Sequence, residues 1–206
     1  MGAFLWKQFC KNRAILLVGS CCFIATITWS QSLDLKLLDK LNGPVQPSYD
    51  KPWQFMSNTV APVAIATPVS MFIVGCATHD KDLRIQSYNA GVSFLVANAV
   101  TTTLKFTVNR TRPFTAYPDL IYKKGTGGPL SFPSGHTTNA FATATSLSLA
   151  FPRWYVIVPA YTYAIAIGYS RMYLGMHYPS DVIVGALIGI GASFLTFQTQ
   201  KWITGM

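Results

Sequence analysis

The chain has 206 residues, of which 50% are hydrophobic and 11% charged, whereas about 25% of residues are charged in a typical soluble domain. Its few charges fall in short segments, with long uncharged stretches between them. This pattern excludes a soluble protein with a large core and indicates a membrane protein. The net charge of +9 comes without a basic run, which disfavours nucleic acid and favours a phosphate-bearing or membrane-surface partner.

Hydrophobic stretches predict six transmembrane helices, because a bilayer core requires about 20 apolar residues per helix. The basic start of the chain resembles a signal peptide, but the apolar run after it is too long and lacks a cleavage site, so we expect a retained helix. The predicted fold is an all-α integral membrane bundle, one domain over residues 1–206. The six helices are predicted at residues 14–33, 59–78, 88–108, 136–151, 154–170 and 181–197.

Close packing is expected for the last of these helices, since Gly185 and Gly189 form a GxxxG pair. Six helices place both termini on one side of the membrane. The connections 34–58, 109–135 and 171–180 then share the opposite side, where the active site is predicted.

The first polar segment joins the third predicted helix to the connection 109–135. Lys105 and Arg112 are close to two helical turns apart, so they share one face while the helix lasts. Pro113 disfavours helix at Arg112 and predicts that the helix ends there. Two cations at a membrane interface, with their stems in the lipid, are the alternative interpretation.

The second segment reads Pro133-Ser134-Gly135-His136 and precedes the fourth predicted helix. Ser134 is a suitable N-cap, and Gly135 permits close backbone approach. The free N–H groups at such a helix start bind anions, and His136 would stand beside the anion. An ordinary capped helix with an interfacial histidine is the alternative.

The third segment contains Ser170-Arg171, His177 and Asp181, with Pro179 suited to the first turn of the sixth helix. A carboxylate at this spacing can hold one imidazole nitrogen and raise the basicity of the other. The alternative is a histidine and an aspartate that only cap the helix.

Taken together, the three segments bring cations, histidines and a carboxylate to one membrane face. Arginine and lysine can together bind all oxygens of a phosphate. Polar groups at membrane depth are costly, so a functional role is the default hypothesis. The remaining histidine, His79, lies on the opposite side in a predicted solvated loop.

The chain resembles the type-2 phosphatidic acid phosphatases, whose active site is shared with the vanadium haloperoxidases. The family pattern KxxxxxxRP, PSGH and SRxxxxxHxxxD is matched throughout, from Lys105 to Asp181. The resemblance implies that His177 is the nucleophile, Asp181 its activator, and His136 the general acid and then base. It also implies that the phosphate is bound by Lys105, Arg112, Arg171, Ser134 and Gly135.

The implied function is a lipid phosphate or pyrophosphate phosphatase that acts through a phosphohistidine, with no cofactor, no metal and no obligate protein partner. Phosphatidylglycerol phosphate, undecaprenyl pyrophosphate, phosphatidic acid and lipid A phosphates all stay open as substrates. A vanadate-dependent haloperoxidase and a non-catalytic lipid-binding or transport protein are the alternatives. The haloperoxidases are larger and soluble, and a degenerate motif would be expected of a non-catalytic protein.

We expect the site to face the periplasm or cell exterior of a bacterial inner membrane. Basic residues are nearly balanced between the two sides, so their count does not decide the orientation. Lys7, Lys11 and Arg13 favour a cytoplasmic N-terminus, and the resemblance implies the same topology.

Overall fold

The structure is a computed structural model that describes residues 33–204, so the predicted helix 14–33 lies outside the described residues except for Leu33. Within this range the regular secondary structure is helical, apart from an isolated bridge between Thr111 and Leu130 in the loop that precedes the helix from Gly135. Helix α1 covers residues 33–42. The other helices are α2 (Pro47–Asn58), α3 (Val60–Ala77), α4 (Lys81–Val108), α5 (Pro113–Ala116), α6 (Gly135–Ala150), α7 (Trp154–Tyr173) and α8 (Pro179–Thr204).

The five predicted helices inside the described range are all present, although three of them are longer than expected. Helix α4 begins at Lys81 rather than residue 88, because the side chain of Asp80 caps it by accepting a hydrogen bond from the Leu83 amide. The connection over residues 34–58 contains two helices that the sequence analysis did not predict, since α1 and α2 occupy most of it.

Three segments of the described range are long and apolar enough to cross a bilayer: Pro47–Ala77, Lys81–Val108 and Pro179–Ile203. Large apolar side chains such as Phe106, Leu195 and Ile183 point outward from these segments and are exposed. An outward apolar surface is what lipid contact requires. The all-helical membrane architecture is confirmed in this form, and the predicted count of six spans is not.

Helix α6 lies at the centre of the bundle and packs against α4, α7 and α8. Its small side chains allow this close approach. One buried apolar cluster joins it to α3 and α7 through Val60, Ala140, Ala144, Ala164 and Ile167.

The expected close packing of Gly185 and Gly189 is present between α8 and α6. A Cβ placed on Gly185 would lie 2.7 Å from the Ser134 carbonyl oxygen, and one on Gly189 would overlap the Thr138 carbonyl oxygen. The starts of the two helices are also joined directly, because the Ser134 amide donates to the Asp181 carbonyl at 3.0 Å. The beginnings of α6 and α8 therefore stand side by side.

Replacing Gly189 by alanine tests this packing. The added Cβ meets backbone atoms, so the helices must separate, and overpacking of this kind costs about 1–3 kcal/mol. We expect a lower midpoint of thermal unfolding in detergent for Gly189→Ala. In Gly191→Ala the added Cβ meets nothing within 4 Å, so stability should hold or rise. Equal destabilisation of both variants would contradict this account of the interface.

Candidate active site

Lys105 lies in the last turn of α4 and holds the segment that leads into α6. Its Nζ donates to the carbonyl oxygens of Pro133 at 2.8 Å and Leu130 at 3.3 Å. An ammonium group has three donors, so one donor is left for an anion.

The expectation that Lys105 and Arg112 share one helical face was wrong. Helix α4 ends at Val108, because Asn109 adopts a left-handed conformation with φ of 51°. Asparagine tolerates this conformation, and its amide closes the helix by donating to the Lys105 carbonyl at 3.0 Å. The chain then turns, and Arg112 becomes the N-cap residue of α5.

The Arg112 side chain is buried and reaches the third motif. Its Nε donates to the Gly128 carbonyl, and its Nη1 donates to the Met176 carbonyl at 2.7 Å. The same Nη1 lies 3.2 Å from His177 Nε2. A guanidinium group can only donate, so Nε2 accepts in this contact and the ring proton lies on Nδ1.

His177 stands between α7 and α8, with Asp181 in the first turn of α8. His177 is 1% exposed and Asp181 is 0% exposed. His177 Nδ1 lies 3.5 Å from Asp181 Oδ2, at the outer limit of a hydrogen bond, and no other acceptor lies near it within residues 33–204. Catalytic hydrogen bonds are often this long before substrate binds. Burial lowers the pKa of His177 well below its ordinary value, so the imidazole is neutral.

The predicted cap at Ser134 is present, since its Oγ accepts a hydrogen bond from the Thr137 amide at 3.4 Å. Ser134 is fully buried and its hydroxyl also contacts Thr137 Oγ1. The first two amides of α6, those of Gly135 and His136, precede these bonds and are suited to an anion. His136 follows in the same turn and is partly exposed.

Arg171 completes the cluster from the last turn of α7. Its Nη1 donates to Ser57 Oγ at 2.6 Å, and its Nη2 lies 3.4 Å from the Thr126 carbonyl. Its Nε is buried and has no partner among the residues that the structure describes. Lys105, Arg112 and Arg171 interact electrostatically with one another and with His136. The structure thus brings the predicted site residues to one end of the bundle.

Sequence reasoning missed three polar residues around Asp181. Arg110 Nη1 donates to Asp181 Oδ1 at 2.7 Å, and Ser131 Oγ donates to Asp181 Oδ2. Asp34 accepts from Arg110 Nη2 at 3.0 Å. The one sequence signal was the position of Arg110 inside the first motif, two residues before Arg112.

A cavity of about 360 Å³ adjoins the site on the side of Arg171. Gln54, Ser57 and Asn58 give it a polar wall. Two buried charges in that wall compensate each other, since Lys124 Nζ lies 3.5 Å from Asp50 Oδ1. The cavity is large enough to hold a polar group next to the cation cluster.

The arrangement is suited to phosphoryl chemistry: the buried imidazole of His177 contacts Arg112, and Lys105 and Arg171 lie near Arg112 and near His136 at the start of α6. The sequence profile of the PAP2 superfamily matches residues 87–204, which contain all three motifs and more than half of the chain. The chain belongs to the PAP2 superfamily.

Similar proteins include the undecaprenyl-diphosphatase of Sulfolobus acidocaldarius, 33% identical over 110 residues, which are 53% of this chain and 53% of that protein. The lipid A 4′-phosphatase of Bacteroides thetaiotaomicron is 30% identical over 177 residues, 79% of this chain and 75% of the relative. The chain therefore spans about half the length of the first relative and three quarters of the second.

Two crystal structures share the fold. Aquifex aeolicus LpxE superposes with a TM-score of 0.70 at 27% identity, covering 81% of this chain and 95% of that one. The PAP2-type phosphatidylglycerolphosphate phosphatase of Bacillus subtilis superposes with a TM-score of 0.64 at 24% identity, covering 84% of this chain and 87% of that one. At its lower identity, the second likeness supports the fold alone.

Gly127→Ala tests whether the position of Arg112 matters for turnover. The new Cβ would lie 2.9 Å from Arg112 Nη2 and 2.9 Å from Met176 Cε. Both are flexible side-chain ends that can move, so we expect near-normal stability but a kcat/KM about 10- to 100-fold lower, as displaced catalytic groups show. Gly128→Ala is the matched control, because its Cβ meets nothing within 4 Å. Equal activity of the two variants would contradict the expectation.

Proposed function

We propose that this protein is a lipid phosphatase that hydrolyses a lipid phosphate or pyrophosphate through a covalent phosphohistidine at His177. The observation that carries the proposal is the contact between His177 Nε2 and Arg112 Nη1 at 3.2 Å. This contact directs the Nε2 lone pair toward Arg112 and the Nδ1 proton toward Asp181. A phosphate bound by the cation cluster would therefore meet the nucleophilic nitrogen.

In the first step, the Nε2 lone pair attacks phosphorus and the bond from phosphorus to the leaving oxygen breaks. His136, which must begin the cycle as the imidazolium, donates a proton to that oxygen. The Nδ1 proton stays between His177 and Asp181, whose charge stabilises the cationic ring. In the second step, His136 accepts a proton from water as the water attacks phosphorus. The bond from phosphorus to Nε2 then breaks and inorganic phosphate leaves.

Negative charge on the transferring phosphoryl group is balanced by side chains and amides. Lys105, Arg112 and Arg171 supply fixed positive charge, and the Gly135 amide adds a donor at the start of α6. Ser134 contributes by capping that helix start, which keeps the amides directed at the anion. Donors placed in advance in this way stabilise the transition state more than the ground state.

The membrane setting favours a lipid substrate. The two relatives described above are named for undecaprenyl diphosphate and lipid A, which share a phosphate on a lipid. In this chain the outward apolar helices would contact the substrate's hydrocarbon, while the cavity beside Arg171 would receive polar atoms next to the scissile phosphate. The bound phosphate would lie between these two environments.

The proposed topology is a bundle of six transmembrane helices, formed by residues 14–33, α3, α4, α6, α7 and α8. Helix α6 is only 16 residues long, which is short for a helix that spans the bilayer. Neighbouring helices surround it, so much of its surface contacts protein rather than lipid. The site would face the periplasm or exterior of a bacterial inner membrane, with the basic N-terminus in the cytoplasm.

The function is tested by measuring phosphate release in detergent, with EDTA present, from phosphatidylglycerol phosphate, undecaprenyl pyrophosphate, phosphatidic acid and lipid A. We expect turnover of at least one lipid, unaffected by EDTA because the cations are side chains. Vanadate should inhibit, since its trigonal bipyramidal form resembles the transition state. Loss of activity in EDTA with recovery in Mg²⁺ would contradict the mechanism.

A pair of matched variants completes this experiment. His177→Asn should lower kcat by several orders of magnitude, because it removes the nucleophile. His79→Asn makes the same chemical change at an exposed position on the far side, and asparagine tolerates the φ of 53° there. It should keep full activity. More than about a hundredth of wild-type activity in His177→Asn would refute the nucleophile assignment.

Orientation is tested with single cysteines after replacement of Cys10, Cys21, Cys22 and Cys76. Lys123 and Lys81 are both exposed and lie on opposite sides of the proposed bundle. An impermeant maleimide should label Lys123→Cys in intact cells or spheroplasts, and Lys81→Cys only after permeabilisation. The reverse pattern would overturn the orientation and leave the chemistry untouched.

A further inference from the structure

Arg110 lies between two carboxylates, one in the active site and one outside it. Its Nη1 donates to Asp181 Oδ1 at 2.7 Å, and its Nη2 donates to Asp34 Oδ2 at 3.0 Å. The Arg110 side chain is 19% exposed, compared with 7% for that of Asp34 and 0% for that of Asp181. The ion pair with Asp181 is therefore largely shielded from solvent. Removing one partner of such a pair is destabilising, because the other charge is left buried and uncompensated.

Further contacts fix the plane of the Arg110 guanidinium group. Its Nη1 also donates to Ser180 Oγ at 2.7 Å, and its central carbon lies 3.8 Å from the centre of the Tyr178 ring. Asp34 is held in turn, because its Oδ1 accepts from the Ser180 amide at 3.0 Å and its Oδ2 accepts from Ser180 Oγ. The Tyr178 ring thus covers one face of the guanidinium group, and hydrogen bonds hold its edge.

These contacts account for the orientation of the Asp181 carboxylate. Oδ1 is occupied by Arg110, while Oδ2 accepts from Ser131 Oγ and from the Tyr178 amide at 2.9 Å. With both oxygens held, Oδ2 is the oxygen presented to His177 Nδ1. Within residues 33–204, Arg110 is the one lysine or arginine whose nitrogen lies within 4.0 Å of this carboxylate.

We propose that Arg110 is a positioning residue for the reaction: it holds the Asp181 carboxylate against His177, and Asp34 holds Arg110. The inference rests on the proposed function, because it assigns Arg110 an effect only through the His177–Asp181 pair. Arg110 does not contact the phosphoryl group in this arrangement. It holds the Asp181 carboxylate in place as the acceptor for the Nδ1 proton while the His177 ring becomes cationic.

Loss of Arg110 should therefore slow catalysis without weakening substrate binding. Residues that orient a catalytic histidine through its acceptor typically contribute 10- to 100-fold. We expect Arg110→Gln to lower kcat by about this factor and to leave KM within about twofold. Arg110→Lys should recover part of the loss, since it keeps a donor and a positive charge but not the fork that spans two carboxylates.

The decisive measurement is a double-mutant cycle of Arg110→Gln with Asp181→Asn, using kcat per mole of monodisperse protein in detergent. If Arg110 acts through Asp181, Arg110→Gln should change kcat by less than about twofold in the Asp181→Asn background. A purely structural role would lower the folded fraction by the same factor in both backgrounds. Multiplicative losses, or an unchanged kcat in Arg110→Gln alone, would overturn the proposal.

Matched controls separate this result from simple loss of charge and from failure of the proposed function. Arg153→Gln removes an exposed arginine at the far end of α7, and Asp39→Asn an exposed aspartate of α1; both should behave as wild type. Asp34→Asn should show a smaller loss of kcat than Arg110→Gln. An active His177→Asn would refute the proposed function, whereas an inactive His177→Asn with a normal Arg110→Gln would refute the positioning role alone.

Discussion

A carboxylate with no exposure to solvent is the constraint around which this end of the bundle is organised. Asp181 must be satisfied on both oxygens, and its partners come from separate parts of the chain: Arg110 follows α4, Ser131 precedes α6, and the Tyr178 amide precedes α8. Burying an unpaired charge would cost several kcal/mol, so these segments are held together by the need to compensate one group. The same carboxylate is the only acceptor near His177 Nδ1 within the described residues. The interaction that orders the site therefore also positions the acceptor for His177, the nucleophile in the proposed mechanism.

Helix packing also places the backbone of Asp181 beside the start of α6. Glycine contacts bring α8 against α6, and the Ser134 amide bonds directly to the Asp181 carbonyl. The start of one helix, with its unpaired amides, then stands beside the histidine that precedes the other. The two arginines and the lysine enter from the ends of other elements and are held by backbone carbonyls or neighbouring hydroxyls. Much of their donor capacity is structural, and the donors that are left are those assigned to the phosphate in the proposed mechanism.

The sequence was sufficient for the features that depend on local chemistry. Uncharged runs predicted the helices, and Ser134 predicted a helix start, because capping and hydrophobic length are properties of short segments. The predicted helix 88–108 ends where α4 ends, at Val108, but the expectation that Pro113 would end the helix at Arg112 was wrong, since the left-handed turn at Asn109 stops it earlier. Helix α2 was not predicted, because its prolines and charges break the hydrophobic pattern on which the prediction relied. Asp50 supports its first turn by accepting a hydrogen bond from the Gln46 amide at 2.8 Å. Arg110 could not be assigned either, because its partners lie 71 and 76 residues away along the chain.

The proposed mechanism requires a covalent phosphohistidine at His177, and trapping this intermediate is the most direct test. Wild-type protein in detergent is mixed with a ³²P-labelled lipid substrate and quenched in alkali within milliseconds, because phosphohistidine is stable in base and labile in acid. Peptide mapping should place the label on His177, with more of it in His136→Gln, where the base that activates water is missing. Label on another residue, or rapid turnover with no labelled protein at any quench time, would contradict the account.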